Sequence, residues 1–301
     1  MPGERRFGMD HPHYPWSPFP RRGVLRWPGG APVALGVILV LEHVEWQAPE
    51  GAQRAATVGM PNFPSFAQHS LRDYGHRVGI FRLLDLLEKH KLTPTIAMDN
   101  TTAENYPFLT SFVARRGYEV IAHGLARTQM VSSKMSEAEE RAYIQSSISA
   151  VERATGKRPA GWFGPDYGES ERTPRLLAQE GITYVCDWPN DDQPYRMTTP
   201  TGELYALPPT YDLDDHVAIM ERGMSMDIYT SVLRRAADQL CEDGADNGRL
   251  LLLVLRPWLM GQPFRASHLD DALGAVMRKP GIWAASCSEI IDWYRKNPPA
   301  A

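Results

Sequence analysis

The stretch Val33-Ala34-Leu35-Gly36-Val37-Ile38-Leu39-Val40-Leu41-Glu42-His43 decides the fold of this chain. An unbroken apolar run meets an acid and an imidazole at its end. The run is too short for a membrane-spanning helix, which needs about 18 or more apolar residues. Its β-branched, uninterrupted character is typical of a strand that is buried on both faces of a parallel sheet. Polar residues directly after such a strand lie where parallel α/β proteins place their active sites.

Short apolar runs and amphipathic helical segments alternate along the rest of the chain, which predicts parallel strands joined by helices. Further strands are predicted at 95–98, 118–122, 160–163, 182–186, 250–255 and 282–285, a hairpin-like segment at 204–207, and helices that include 77–90 and 103–116. About seven core strands favour one barrel over two domains. We therefore expect the α/β fold class, with a distorted seven-stranded (β/α) barrel over residues 31–301 as a single domain.

Residues 1–30 form a Pro-rich segment with an aromatic stretch, His11-Pro12-His13-Tyr14-Pro15-Trp16. Proline cannot continue a helix or a central strand, so this segment is predicted to be an extended N-terminal arm. Disordered tails usually lack aromatic residues. We therefore expect the arm to pack on the barrel or on a neighbouring subunit.

The composition narrows the possible partners. The chain is 43% hydrophobic with a formal charge of −4, which argues against a nucleic-acid binder, since such domains are usually strongly basic. The N-terminal segment lacks the apolar core of a secretory signal peptide. We expect a cytoplasmic protein that acts on a small-molecule substrate, with neither nucleic acid nor membrane as a partner.

Residues with useful chemistry follow several predicted strands. Glu42 and His43 follow the first, His123 the third, and Arg256 the long late strand. A carboxylate near imidazoles can activate water or hold a metal, and a cation can stabilise an oxyanion. The sequence contains no Gly-rich phosphate loop and no Gly-x-Ser-x-Gly motif. The pattern predicts hydrolysis, with Glu42, His123 and Arg256 as catalytic candidates.

A second group of residues is predicted to bind the substrate. Its members lie before a predicted helix, at strand exits or in a Pro-bounded loop: Asp73, Arg77, Trp162, Trp188, Asp192 and Trp258. Three tryptophans at one rim would form an apolar wall for a flat or ring-shaped ligand. Ordinary structural roles stay open for each of them, namely a helix cap, core packing or a solvated turn.

Several motifs occur in a characteristic order. They are Trp27-Pro28-Gly29-Gly30, Arg72-Asp73-Tyr74-Gly75-His76-Arg77-Val78-Gly79, Ala122-His123-Gly124, Gly161-Trp162-Phe163-Gly164-Pro165, Tyr184-Val185-Cys186-Asp187-Trp188 and 257–265. With them, roughly residues 30 to 295 resemble the polysaccharide deacetylase superfamily (carbohydrate esterase family four), particularly its allantoinase-like and cyclic-imide-hydrolase-like branch. The resemblance implies a distorted seven-stranded barrel of that type, a homo-oligomer such as a dimer or tetramer, and hydrolysis of a carbon-nitrogen amide bond.

The chain departs from the family pattern at three positions. Metal-dependent members use an Asp-Asp pair where this chain has Glu42-His43. Their second motif has two histidines four residues apart, and here His123 is followed at that spacing by Arg127. A late histidine is replaced by Arg256, which stays protonated and cannot act as a general acid.

A catalytic zinc usually has three protein ligands and a water. The resemblance implies His43 and His123 as candidate zinc ligands, with Glu42 or Asp73 as the candidates for a third. A divalent metal is therefore a possible cofactor but not a certain one, and a metal-free reaction stays open.

Three functions remain open at this point. The first is an amidohydrolase that opens a small, cyclic amide, ureide or imide, with Glu42 as the base and His123 and Arg256 at the oxyanion. The second is an N-deacetylase of an amino sugar or glycan. The third is a catalytically degenerate binding protein on the same barrel, for which Arg127 and Arg256 in place of histidines are the evidence.

Overall fold

The computed structural model describes residues 11–47, 50 and 66–299. Its strands all belong to one sheet: β1 (Val33–Leu41), β2 (Thr95–Met98), β3 (Glu119–Ala122), β4 (Gly161–Trp162), β5 (Tyr184–Val185), β6 (Tyr195–Arg196), β7 (Tyr205–Ala206), β8 (Arg249–Leu255) and β9 (Ile282–Ala284). Every predicted strand is present, although several are shorter than expected.

Helices cover the outside of the sheet. They are α1 (Phe66–Tyr74), α2 (Ile80–Lys89), α3 (Asn100–Asn105), α4 (Pro107–Arg115), α5 (Glu137–Thr155), α6 (Thr173–Gln179), α7 (Met226–Gly244), α8 (Pro257–Met260), α9 (Pro263–Met277) and α10 (Cys287–Lys296). Within the described ranges, none of them combines the length and the apolar character that crossing a membrane requires.

The strand order explains the barrel. The sheet runs β6-β7-β5-β4-β3-β2-β1-β8, and all neighbours are parallel except the β6–β7 pair. The amide of Thr210 donates to the carbonyl of Leu252, and the amide of Leu250 to that of Asp192, so irregular segments link the two ends of the sheet. The predicted distorted barrel of seven parallel strands is confirmed. The seventh of these is β7, however, because β9 pairs only with the first residues of β1.

Strand β1 lies at the centre of both cores. Leu35, Val37 and Leu39 pack against the helices, whereas Ile38 and Val40 point into the barrel interior. Both faces are therefore apolar, which is why the run shows no polar alternation. The strand delivers Glu42 to the carboxyl end of the barrel, where β2 and β8 also end.

The described part of the arm packs on the barrel. Leu25 and Trp27 are buried in the interior core, and the indole N–H of Trp27 donates to the Arg249 carbonyl at 2.7 Å. The guanidinium of Arg22 donates to both carboxylate oxygens of Asp191, at 2.7 and 2.6 Å. Residues 1–10 of the arm lie outside the described residues, and a domain boundary at residue 30 stays a prediction.

Two predicted helices differ from the structure. The helix expected over 103–116 is divided into α3 and α4 at Tyr106, whose φ is −120° and ψ 62°. Pro107 causes the break, because proline disfavours a helical conformation of the residue before it. The helix expected over 77–90 begins earlier, at Phe66, and contains a π-helical turn from Gly75 to Gly79 that joins α1 to α2.

Glycines let the π-helical turn touch α8 directly. A Cβ at Gly79 would lie 2.0 Å from the Pro257 carbonyl oxygen, and one at Gly75 would lie 2.7 Å from the Trp258 amide nitrogen. Both obstacles are backbone atoms, which cannot rotate away. The close crossing brings α1 against the carboxyl end of β8, and with it the side chains of one face of α1.

We expect Gly79→Ala to lower the free energy of unfolding by about 1–3 kcal/mol or more, because an added methyl overpacks the crossing. Elsewhere in a helix the same change usually stabilises, by up to about 1 kcal/mol. Urea unfolding followed by circular dichroism measures the effect. The control is Val78→Ala in the same turn, where the side chain is 40% exposed and a change within about 0.5 kcal/mol is expected. A Gly79→Ala protein as stable as the wild type would contradict this account of the crossing.

Candidate active site

Glu42 is the centre of a buried ion cluster at the carboxyl end of the barrel. Its carboxylate accepts two hydrogen bonds from Nη1 of Arg127, at 2.8 and 3.1 Å. Nε of Arg256 lies 3.5 Å away and Nη1 of Arg72 3.9 Å away. Nε2 of His123 is 3.6 Å from the second carboxylate oxygen. We call these five side chains the Glu42 cluster.

Other carboxylates balance the cations of the Glu42 cluster. Nη1 of Arg256 donates to Asp214 at 2.6 Å and to Asp215 at 3.0 Å. Nη2 of Arg127 donates to Asp166 at 3.3 Å. Burial raises the pKa of Asp215 to about 7, against the opposing effect of Arg256. Each guanidinium thus has an anion near it, as buried charges require.

The electrostatics keep Glu42 ionised. Burial alone would raise its pKa, but Arg127, His123 and Arg256 together lower the pKa well below the usual range for glutamate. For Arg256, burial would lower the pKa, but Asp214, Glu42 and Asp215 raise it well above the usual value. A carboxylate in these surroundings is a weak proton acceptor. The base role expected for Glu42 is therefore poorly supported.

His123 and Arg256 are also held by protein groups. Nδ1 of His123 contacts the Phe163 carbonyl oxygen at 2.5 Å, and the ring is 1% exposed. The guanidinium of Arg256 is occupied by its carboxylate partners. Both expected oxyanion residues therefore join the Glu42 cluster, and their surroundings favour a role in fixing Glu42.

An open cavity of about 220 Å³ lies beside Glu42. One face of α1 and the π-helical turn supplies most of its polar lining, with His69, Arg72, Asp73 and His76 spaced at i, i+3, i+4 and i+7. This spacing places side chains on the same side of a helix. His43, Val44, Trp46, Ser70 and Tyr106 complete the lining.

Arg72 lines this cavity, and its hydrogen-bonding capacity is not fully used. The residue is 6% exposed, and its guanidinium stacks on Trp258 with 4.6 Å between the guanidinium carbon and the ring centroid. Its Nε and Nη1 have no hydrogen-bond partner among the described residues. Burial, followed by the charge of Arg127, lowers the pKa of Arg72 to about 10, so the group stays cationic at neutral pH.

His43 is held in the cavity wall by two hydrogen-bond contacts, with Asp99 and with Tyr106. Its amide donates to Oδ2 of Asp99 at 2.5 Å, while Oδ1 of Asp99 caps α3 by accepting from the amide of Thr102 at 2.6 Å. The hydroxyl of Tyr106 lies 3.3 Å from Nδ1 of His43 and donates to Oδ1 of Asp73 at 3.2 Å. Burial lowers the pKa of His43, so the imidazole is neutral at physiological pH.

A second cavity, of about 410 Å³, lies on the other side of the Glu42 cluster and is lined by Asp166, Tyr167, Tyr211, His216, Val217, Glu221 and Arg256. Asp166 and Tyr167 have positive φ angles of 54° and 59°. Strained backbone of this kind is frequent at functional sites. Here it directs Asp166 to Arg127 and the Tyr167 hydroxyl to Asp214, to which it donates at 2.8 Å.

The predicted substrate-binding residues are widely separated. Asp73 lines the smaller cavity, and the ring of Trp258 stacks on the guanidinium of Arg72. The placements of Asp73 and Trp258 agree with a site beside α1. Arg77 is exposed on the π-helical turn and is not among the lining residues.

The remaining three predicted residues lie elsewhere. Trp162 is fully buried in a core cluster, because strand alternation directs it away from the cavity. Trp188 packs against His13 and Tyr14 of the arm. The backbone carbonyl of Asp192 accepts from the amide of Leu250 near the start of β8, at the opposite end of the barrel from Glu42. The three tryptophans therefore do not form one wall.

The residues around Glu42 do not fit a metal ion. In the ranges that the structure describes, no group of three or more His, Cys, Asp or Glu side chains is arranged to hold one. The candidate ligands His43 and His123 contact Tyr106 and the Phe163 carbonyl, respectively, through Nδ1, and among the described residues no third ligand side chain converges with them. The position expected for another histidine is occupied by Arg127, whose cation bonds the carboxylate that a metal would approach.

Comparison with known proteins places this architecture. The polysaccharide deacetylase family model matches residues 72–185. A Schizosaccharomyces pombe protein whose name places it with the polysaccharide deacetylases is 25% identical over 90% of this chain and 93% of its own length. The crystal structure of Puue allantoinase superposes with a TM-score of 0.81, at 27% identity, over 91% of this chain and 94% of that one.

This chain is thus similar to the polysaccharide deacetylases in sequence and in fold. A probable polysaccharide deacetylase from Pseudomonas aeruginosa PAO1 is equally similar in structure, with a TM-score of 0.81 and 26% identity over 91% of this chain and 95% of that one. The expected resemblance to this superfamily and the expected barrel type are both confirmed. The chain is similar to hydrolases of polysaccharide deacetylase type.

Sequence reasoning missed Arg72, His76, Tyr106 and Asp166 as site residues. A signal for two of them is present, since the polar residues at 69, 72, 73 and 76 follow a helical period and contain two histidines. No local pattern marks Tyr106, whose position depends on the helix break at Pro107. In the sequence, Asp166 is one of several acidic residues that closely follow a predicted strand.

Replacing Glu42 by Gln should lower the free energy of unfolding by about 3–5 kcal/mol, because loss of the anion leaves buried guanidinium groups without compensation. Urea unfolding at neutral pH measures this. Glu137→Gln is a matched control, since Glu137 also pairs with an arginine, Arg175, but does so on the surface. The control should change stability very little. Equal effects of the two changes would contradict the cluster's structural importance.

We expect His76 to make the folded state sensitive to acid. Burial, followed by the charge of His43, lowers its pKa from 6.5 to about 4. The unfolded chain therefore binds a proton below pH 6.5 that the folded chain does not, and stability falls by up to about 3 kcal/mol as the pH falls towards 4. His76→Gln should flatten this slope in urea unfolding measured across that range. His268→Gln, at an exposed site on α9, should keep it; identical slopes in wild type and His76→Gln would contradict the assignment.

Proposed function

We propose that this protein hydrolyses a carbon-nitrogen bond in a small, cyclic amide such as an imide or ureide. The observation that carries the proposal is the buried guanidinium of Arg72, which belongs to the lining of a cavity next to Glu42 and has N–H groups without a hydrogen-bond partner among the described residues. Hydrolysis of an amide places negative charge on the carbonyl oxygen. Fixed donors at that position stabilise the transition state more than the ground state.

The size of the cavity favours a small substrate. Its volume of about 220 Å³ is below the roughly 300–1,000 Å³ of typical ligand clefts. Trp46 stacks on His69 with 4.4 Å between ring centroids, and Trp46 also contacts Phe66 at 5.2 Å. An aromatic edge of this kind suits a flat ring. Polymer binding would instead favour an open groove.

The proposed chemistry uses cations that belong to the chain. Arg72 polarises the carbonyl, and the Glu42 cluster fixes Arg72 by placing a carboxylate 3.9 Å from its Nη1. Arg127 and Arg256 share the charge of Glu42, so that this carboxylate is not paired with Arg72 alone. The Puue allantoinase structure supports the choice of a cyclic ureide as one substrate class to examine, since its fold matches at 27% identity.

The test is a panel of succinimide, glutarimide, hydantoin, allantoin and N-acetylglucosamine, assayed with protein before and after chelation, by NMR detection of the ring-opened acid or of acetate. Ring opening that survives chelation supports the proposal. Acetate release from the sugar would overturn it in favour of an N-deacetylase. Binding without turnover, measured by calorimetry, would overturn it in favour of a binding protein.

On the cyclic substrate, Arg72→Gln should lower kcat/KM by about 10²–10³-fold, the effect typical of removing an oxyanion donor. Steady-state kinetics gives the ratio, and circular dichroism checks folding. Arg116→Gln, a surface change after α4, removes an arginine that forms an ion pair with the exposed Glu88 and should leave kinetics unchanged. Equal kcat/KM values for wild type and Arg72→Gln would remove Arg72 from the reaction.

A further inference from the structure

Hydrolysis by the proposed route needs a proton acceptor for the attacking water, and Glu42 is poorly suited to accept one. Its carboxylate is bonded by Arg127 and approached by two further guanidinium groups. The other carboxylate of the cavity, Asp73, already accepts from Tyr106. Three imidazoles share the cavity wall with these carboxylates, and one of them, His43, contacts Tyr106.

The contacts of Tyr106 determine which nitrogen of His43 carries the proton. The tyrosine hydroxyl has one hydrogen and lies within reach of two groups, Oδ1 of Asp73 at 3.2 Å and Nδ1 of His43 at 3.3 Å. A carboxylate only accepts hydrogen bonds, so the hydroxyl donates to Asp73. The lone pair of the hydroxyl then accepts from His43, which requires the hydrogen to be on Nδ1.

Nε2 of His43 is left as a free acceptor. In a neutral imidazole, one nitrogen is the donor and the other the acceptor, and the bond at the first sets the role of the second. No described residue makes a hydrogen bond to Nε2. The backbone amide of His43 is bonded to Asp99, and its Nδ1 contacts Tyr106. His43 and Arg72 line the same cavity.

We propose that His43 is the general base of the reaction, with Tyr106 and Asp73 as positioning residues that keep its Nε2 unprotonated. The proposal rests on the amide hydrolysis proposed above. Asp73, Tyr106 and His43 form a chain of acceptor, relay and base, which resembles in its logic the way a carboxylate orients the histidine of a hydrolytic triad.

In the proposed step, water forms a bond from its oxygen to the carbonyl carbon of the substrate while one of its protons passes to Nε2 of His43. The carbonyl π electrons move to oxygen, next to the N–H groups of Arg72. The carbon-nitrogen bond then breaks, the imidazolium returns its proton to the leaving nitrogen, and the carbonyl re-forms as a carboxylic acid.

The tautomer of His43 can be measured without any substrate. Long-range ¹H–¹⁵N NMR spectra of the uniformly ¹⁵N-labelled protein, at a pH of about 8 where ordinary histidines are neutral, distinguish the two ring nitrogens. The His43 signals are those lost in His43→Gln. We expect the proton on Nδ1 in wild type and a shift towards Nε2 in Tyr106→Phe. Tyr74→Phe, on α1 with its hydroxyl bonded to Arg82, is the matched control and should keep the wild-type tautomer.

Kinetics on the cyclic substrate completes the test. His43→Gln should lower kcat by about 10²–10⁴-fold, and Tyr106→Phe by about 10–100-fold with little change in KM. Tyr74→Phe should not change either constant. The base assignment is overturned if wild-type His43 carries its proton on Nε2. It is also overturned if Tyr106→Phe changes the tautomer but leaves kcat unchanged. In both cases, ring opening by the wild type leaves the proposed function intact. A wild type that opens no ring overturns the function itself and the base role with it.

Discussion

The structure at the carboxyl end of this barrel depends on a single desolvated carboxylate. Glu42 ends the central strand β1, where it is 3% exposed, and a charge at that depth is stable only if cations surround it. The cations come from α1, from the loop after β3 and from the end of β8, so that one requirement ties three distant parts of the chain together. Asp214, Asp215 and Asp166 then balance the excess positive charge. The geometry of both cavities follows from this arrangement.

Arg127 distinguishes this site from one built around a metal ion. A guanidinium carries its charge permanently and binds a carboxylate through directed N–H groups, whereas a metal would exchange and would bring a water with it. Fixed cations polarise a carbonyl but supply no activated water. In the proposed reaction the proton acceptor is one of the chain's own side chains, the neutral His43, whose Nδ1 contacts Tyr106.

The sequence predicts most of the fold because burial on both faces of β1 and the alternation of strands and helices are local patterns. It also locates Glu42, His123 and Arg256 together, since parallel strands end at one rim. It cannot reveal what each side chain contacts. Trp162 points into the core and Asp192 lies at the far end of the barrel, because two-residue strands and irregular loops leave no period to follow. The π-helical turn and the break at Tyr106, which shape the cavity, depend on contacts with α8 and on Pro107.

The aromatic edge of the cavity has a consequence for how such a protein diversifies. Trp46 and Phe66 are 44% and 73% exposed, and their described ring contacts, with each other and between Trp46 and His69, lie outside the Glu42 cluster. Mutations there change the shape offered to a ligand at little risk to folding, whereas mutations among the buried charges endanger the whole barrel end. Selection can thus alter ligand preference in small, independent steps while the reactive groups stay constant. A lineage built on this plan would acquire new substrates at its rim long before it acquired a new reaction.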